Sequence, residues 1–347
     1  GLTMDETRDN FLDADPAEGG DVKTLNIPSY QNSQCVGGCS FTRTFTAVAD
    51  ASYTVVVDAP TGVVITVTPA TFDILADETQ EVLFEIDVMD AEIGTWQFAS
   101  VTFDTDDTFG TGEAITDARI PLAIKPDAGN LPALVEKDVY RDAGGTVIKD
   151  LYAIEITDMT FESAGLTEAD LYEFELAGDP TNGDPFDGLA DVWYTTFTIP
   201  EGTKRVVMEV LETSASDLDM FFGYGPVPSE ATQLDSSATG ATLEYLSWLD
   251  PMAFDYWVLV QNWDGTATPD DVTLALAIVP DAESTNFEVA GPDAVPALEL
   301  FDLEVTWDIP EMEPLSAWYG WFSVGSDPAN AGNIGQTELN LYRRYDD

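Results

Sequence analysis

Residues Leu25–Val67 read LNIPSYQNSQCVGGCSFTRTFTAVADASYTVVVDAPTGVVITV, and this stretch decides the fold. Three runs stand out within it: Phe41-Thr42-Arg43-Thr44-Phe45-Thr46, Tyr53-Thr54-Val55-Val56-Val57, and Ile65-Thr66-Val67-Thr68-Pro69 just past Gly62-Val63. Each places apolar side chains at alternate positions over about five residues and is closed by Pro, Gly or Asp, the pattern of a half-buried β-strand. Such strands at short, regular spacing predict an all-β chain of antiparallel sandwiches.

Working outward, the same period continues. Candidate strands lie near 41–47, 52–58, 63–68, 80–89, 95–103 and 118–125, broken by Pro69, Asp77-Glu78, Gly94 and an Asp-rich loop at 104–113. Before them, residues 1–22 carry a weak apolar pattern (Leu2, Met4, Phe11, Leu12), then Pro16 and Gly19-Gly20, which predicts a short helical turn and a linker. After them, Pro126–Pro132 has linker composition. Val135–Tyr140 and Val147–Thr157 read as two strands around the turn Ala143-Gly144-Gly145, and Ser163–Ala177 reads as one short helix followed by a strand. From Trp193 the strand pattern resumes and runs to Ile278. The tail holds four more strands at Asn286–Ala290, Glu299–Asp308, Ala317–Gly325 and Gly335–Arg344. Four strands make a marginal sandwich alone, so they are expected to share a sheet with 135–157, leaving the 190–280 module as an insertion.

The opening third resembles a known family. The segments LNIPS, TRTFTAV, YTVVVDAPTGVVITVTP, Thr95-Trp96-Gln97-Phe98-Ala99-Ser100-Val101-Thr102-Phe103 and Arg119-Ile120-Pro121-Leu122-Ala123-Ile124 are similar to the fibronectin-III-like domain that follows the catalytic domain of many subtilisin-like serine proteases. Gly1-Leu2-Thr3-Met4-Asp5 with Asn10-Phe11-Leu12 resembles the segment where such a protease domain hands over to the sandwich. Ala47-Val48-Ala49 departs from the family's usual Asn-Val-Gly turn. Further on, Ile199-Pro200-Glu201-Gly202, Asp217-Leu218-Asp219 and Pro251 followed by Tyr256-Trp257-Val258 resemble the pre-peptidase C-terminal domain, a jelly-roll-like sandwich appended to secreted bacterial proteases. Tyr319-Gly320-Trp321 with Gly325 and Gly335–Leu341 resembles the further fibronectin-like repeats of such enzymes. The resemblance therefore implies a linker at 1–22, a fibronectin-III-like sandwich at 23–126, a pre-peptidase-like sandwich with leading strands at 127–283, and a C-terminal β segment at 284–347.

Charge excludes several functions. The 347 residues carry 65 Asp and Glu against 12 Lys and Arg, a formal net charge of −53. Binding nucleic acid through its phosphates needs clustered cations, and anionic membrane surfaces are disfavoured for the same reason. So large a charge keeps an exported protein soluble in salty water while adding self-repulsion that salt must screen, which predicts a saline setting. No stretch reaches the roughly 18 apolar residues of a membrane-spanning helix. The chain opens on Gly1 rather than Met and shows no signal peptide, as expected of a processed product or a piece of a longer polypeptide.

There is no His in the chain. A Ser-His-Asp triad and any His-ligated metal centre are thereby excluded within it, so the expected fragment is not itself an enzyme, although the resemblance implies a serine-protease parent. Cys35 and Cys39 are separated by three residues. Two cysteines without His do not complete a zinc tetrahedron, and a redox C-x-x-C pair needs two intervening residues. A small disulfide pinching a loop suits an oxidising, secreted location.

Three Asp-rich places have the oxygen-rich composition that calcium takes. The first is Asp179, Asn182, Asp184 and Asp187 around Gly183, with Asp191 behind. The second is Asp217 with Asp219, two residues apart and so on one side of a strand. The third is Asp104, Asp106 and Asp107. Against all three stands the scatter of Asp over any strongly acidic surface. Calcium is the one cofactor expected, and none is required. Of the tryptophans, Trp257 and Trp307 sit inside alternating runs and are expected in cores, whereas Trp263, beside Asp264-Gly265, is expected to be exposed and in reach of substrate. The partners expected are the catalytic domain of the same polypeptide, upstream, and protein substrate, with no nucleic acid and no membrane. The function expected is an accessory region that stabilises an exported subtilisin-like endopeptidase. The alternative is a stand-alone secreted adhesin or carbohydrate-binding sandwich protein, and a third reading is a calcium-stabilised spacer.

Overall fold

The computed structural model describes all residues except 17, 18, 266, 267, 311, 346 and 347. It is all-β, with three two-sheet sandwiches. The first is built from β1 (Leu2–Thr3), the short helix α1 (Arg8–Asp13), β2 (Tyr30–Val36), β3 (Gly38–Ala47), β4 (Ala51–Asp58), β5 (Val64–Thr68), β6 (Thr71–Ile74), β7 (Thr79–Asp87), β8 (Gln97–Asp104) and β9 (Ala118–Asp127). Its sheets run β1-β3-β7-β5 and β2-β9-β8-β4-β6. The motifs that open the chain bond to one another. Arg43 shares the inward face of β3 with Phe41 and Phe45, 2% exposed. Its guanidinium donates to the carbonyls of Lys23, Ile27, Ser29 and Thr42 at 2.9–3.2 Å and lies 4.6 Å from the Phe41 ring. Asn26 clasps Thr44 through both its backbone groups. A buried cation survives here because each guanidinium nitrogen finds an acceptor. Cys35 and Cys39 form a disulfide that joins β2 to β3, with a Cα–Cα distance of 5.5 Å, across Gly37 at φ +66°, a backbone that disfavours other residues.

The second sandwich takes β10 (Leu134–Val139), β11 (Ala143–Leu151) and β12 (Thr160–Glu168) from the middle of the chain. Its other strands come from the tail: β21 (Phe287–Ala290), β22 (Phe301–Asp308), β23 (Ala317–Gly325) and β24 (Gly335–Arg343). Its sheets run β10-β24-β23-β12 and β11-β22-β21. Between these halves lies the third sandwich, of β13 (Asp170–Leu176), β14 (Trp193–Ile199), β15 (Thr203–Thr213), β16 (Leu218–Tyr224), β17 (Gln233–Ser237), β18 (Tyr245–Leu249), β19 (Phe254–Asn262) and β20 (Asp270–Pro280). Its sheets run β13-β20-β15-β18 and β14-β19-β16-β17.

Several expectations need correction. The sheets are not purely antiparallel: β2 pairs with β9, and β10 with β24, in parallel. Ser163–Ala177 forms no helix. Its helix-favouring Leu, Glu and Ala residues are drawn into ladders with β23 and β20, where pairing outweighs local propensity. Residues 126–132 are not a loose linker, since β9 runs into them and Ala128 and Leu131 are buried. β10 and β11 do not form a hairpin; each pairs with a tail strand instead.

The sheet β13-β20-β15-β18 is covered on both faces. Val206, Met208, Val210, Leu274 and Leu276 fill the third sandwich's own core. On the other face Val207, Ala275, Ala277 and Val279 pack against Ala164, Ala317, Tyr319 and Trp321 of the second sandwich. This explains the near-continuous apolar runs Arg205–Val210 and Leu274–Val279, which a one-sided sheet does not need.

Candidate functional site

Two buried polar clusters flank the third sandwich. The first lies in its contact with the second. Arg205, fully buried on β15, donates to Ser247 Oγ at 2.9 Å, the Gly320 carbonyl at 2.8 Å, Glu338 Oε2 at 2.7 Å, Asn340 Oδ1 at 2.9 Å and the Tyr245 hydroxyl. Nearby, Glu209 accepts from the hydroxyls of Tyr319 at 2.6 Å and Tyr342 at 2.9 Å. Burial pushes the Glu209 carboxyl above its usual range, against the pull of those two tyrosines. Burial also lifts the Tyr245 hydroxyl to about 12. Donors and acceptors match here, and the chemistry is cohesion.

The second cluster lies at the end of β19, and it does not match. The loop from Ala177 to Asp191 folds over the outward face of sheet β14-β19-β16-β17, where Phe186 meets Phe221 and Trp257 edge-on at 5.9 and 6.0 Å. Beside this apolar plug the buried Asp179 accepts from Gln261 Nε2 at 2.6 Å and from the Thr181 amide at 2.9 Å. Gln261 faces Asp219 directly in the β16–β19 register, so both project to this side. One position on, Asn262 projects into the core and donates to Asp270 Oδ2 at 3.0 Å and the Leu176 carbonyl at 2.9 Å. Three oxygens here are buried and lack any donor among the described residues: Gln261 Oε1, Asn262 Oδ1 and Asp217 Oδ1. Gln261 and Asn262 are wholly buried. The Asp219 carboxyl is raised to about 6, first by burial, then by the charges of Asp217 and Glu244. This corner is rich in acceptors and negative charge and short of donors. A bound cation or ordered water would complete such a set.

The expected ligand residues divide accordingly. Asp179 and the Asn182 carbonyl both accept from Gln261 Nε2, the carbonyl at 3.3 Å, and Asp219, two residues beyond Asp217, faces Gln261 in the β16–β19 register. Asp184, Asp187 and Asp191 are exposed along the loop and serve its turns: Asp184 accepts from the Phe186 amide, Asp187 from Thr181 Oγ1, and Asp191 lies against Gly188. Among the described residues no three His, Cys, Asp or Glu side chains are grouped closely enough to hold a metal by themselves, so amide and carbonyl oxygens would have to contribute. Asp107 accepts from the Ser52 amide at 2.6 Å, closing a loop of the first sandwich. Trp263, 44% exposed, borders the corner, its carbonyl held by Asn182 Nδ2 at 3.0 Å. Gln261, Asn262 and Asp270 were not foreseen. The signal for them is the amide pair that interrupts the buried run Tyr256–Val260 just where the strand ends.

No helix among the described residues is long and apolar enough to cross a membrane. The chain resembles solved structures only loosely. The secreted serine protease VesC from Vibrio cholerae aligns at 9% identity over 74% of this chain and 50% of that one, with a TM-score of 0.23. Tripeptidyl peptidase 2 aligns at 9% identity over 85% of this chain and 25% of that one, TM-score 0.23. The periplasmic chaperone SfaE aligns at 18% identity over 40% of this chain and 75% of that one, TM-score 0.22. Likeness at this level carries no functional information. No curated protein sequence matches the chain. Residues 24–122, the first sandwich, match the family model of the fibronectin type-III domain.

Proposed function

We propose that this chain is the non-catalytic accessory region of an exported subtilisin-like serine endopeptidase. Its sandwiches stabilise the catalytic domain of the same polypeptide outside the cell and engage protein substrate. The observation that supports this is how the leading segment joins the first sandwich. Leu2 and Thr3, in the segment that resembles the protease hand-over, pair with Ala47 and Thr46 on the edge of β3, and Leu2 and Met4 pack on the core. A catalytic domain carried ahead of this segment would be tied to the sandwich by a strand ladder rather than a loose tether. Without His the chain itself supplies no triad. The test is the coding sequence upstream of Gly1. Asp, His and Ser in subtilisin-like motifs are expected there; a signal peptide or stop codon immediately upstream overturns the reading.

A second reading concerns the polar corner of the third sandwich, and the orphaned buried oxygens of Gln261 and Asp217 favour it. Calcium held by Asp179, Asp217, Asp219 and Gln261, with the Asn182 carbonyl, would satisfy the Gln261 and Asp217 oxygens. Stability should then fall on adding chelator and return with calcium. A chelator-insensitive melting curve removes this reading without touching the first.

A further inference from the structure

Cations are scarce in this chain, 12 against 65 acidic residues, and two of them line one cleft. The cleft, of about 560 Å³, opens between β10 and β11 at one end of the second sandwich and is lined by Lys137, Asp138, Arg141, Gly144, Gly145 and Trp307 among others. Lys137 stands opposite Leu341 in the β10–β24 register, so it projects toward the gap between the sheets. The one lining carboxylate, Asp138, is engaged by Arg344 at 2.6 Å. The side chains of Lys137 and Arg141 form no hydrogen bond or ion pair with a described residue. In a chain of this charge, two cations lining one cleft without a carboxylate partner among the described residues are out of pattern.

Trp307 adds an independent observation. It is 8% exposed, and its Nε1 is buried with no acceptor among the described residues. The ring edge carrying that nitrogen lies over Gly144, since a Cβ built there would sit 2.7 Å from Cζ2 and 3.2 Å from Nε1. Around the cleft stand an ammonium, a guanidinium and an indole N–H, all donors, and a carboxylate answers that set. Both β10 and β11 are edge strands, so the free ladder of β11 can take an added strand.

We propose that this cleft binds an extended peptide through its carboxylate, the main chain lying along β11 and the carboxylate between Lys137 and Arg141 within reach of the Trp307 N–H. Polyanions are disfavoured, because the acidic surface beyond repels them. A single carboxylate feels chiefly the local cations, since salt screens charge beyond about 8 Å. The inference stands independently of the protease reading.

The test titrates the full chain with three short Thr/Val peptides, following the Trp307 indole N–H resonance, assigned by Trp307→Phe. One peptide has a free C-terminus, one is its C-terminal amide, and one is amidated with an internal Glu. Saturable shifts are expected with a carboxylate and not with the plain amide. Whichever carboxylate peptide binds tighter identifies a chain end or a side chain as the source. Lys137→Gln and Arg141→Gln, both at exposed positions, should each weaken binding about tenfold or more. Equal shifts with the plain amide, no saturable shift with any peptide, or unchanged affinity in both variants overturns the proposal.

Discussion

The two buried polar clusters of the third sandwich are built on its two opposite sheets and obey opposite rules. Around Arg205 every strong donor meets an acceptor, and the cluster spans two sandwiches. Around Gln261 acceptors outnumber donors, and the cluster lies at a free end. A matched network holds parts together. An unmatched one is unfinished until something binds, so the imbalance, rather than the number of carboxylates, distinguishes a site from cement.

The contrast breaks first at Arg205. Replacing it by Met removes the ion-pair partner of Glu338, leaving it the Tyr245 hydroxyl alone, and takes a charged donor from the Gly320 carbonyl and Asn340 Oδ1. A loss of about 3–5 kcal/mol is expected in denaturant unfolding, since one half of a buried ion pair is stranded. A loss below about 1 kcal/mol would show that the network is not what joins the sandwiches.

The polar corner should respond to ligand and pH instead. At a calcium concentration about 100 times its dissociation constant, binding contributes about 2.7 kcal/mol, which chelation should remove. Asp219 sets the pH dependence. Its folded carboxyl, raised to about 6 from 3.8, holds its proton longer than the unfolded one. Its contribution is fully present below about 4 and is lost as pH rises through about 6. Calcium-free protein should therefore weaken across that window. Asp219→Asn should flatten the dependence, raise the melting temperature at pH 8 without calcium, and abolish the response to calcium. An unaltered pH profile in that variant would mean that Asp219 is not the strained carboxylate.

The disulfide serves as a control on both regions. Replacing Cys35 and Cys39 together by Ser should cost about 2 kcal/mol by loop entropy, confined to the first sandwich and without effect on chelator sensitivity. The smallest expected effect is at Trp263. With the ring 44% exposed, Trp263→Ala should change stability by less than about 0.5 kcal/mol. If the variant also binds protein or polymeric substrate as well as the parent, the ring is not a contact residue.

Much of this was legible in the residues, and the failures have physical causes. The TRT run and the lead-in LNIPS announced a strand, and the fold adds that Arg43 is buried to hold that lead-in. The stretch 163–177 misled because its Leu, Glu and Ala residues favour a helix while two remote strands claim its backbone. Of the Asp and Asn residues expected around calcium, Asp179 and Asn182 bond Gln261 and Asp219 faces it, while Asp184 and Asp187 accept hydrogen bonds within the loop. Spacing did not separate them, because loop closure against β19 decides which face inward.

What the sequence determined by itself is what local periodicity carries: an all-β chain, its strands, its acidic surface and its lack of a triad. Alternation is written within five or six residues and needs no partner to be read. Only the tertiary structure decided which polar groups meet. Arg205 reaches Glu338, and Asp179 reaches Gln261, across long separations in the chain. Strand register sets such pairs, and a one-residue slip would turn each side chain to the opposite face.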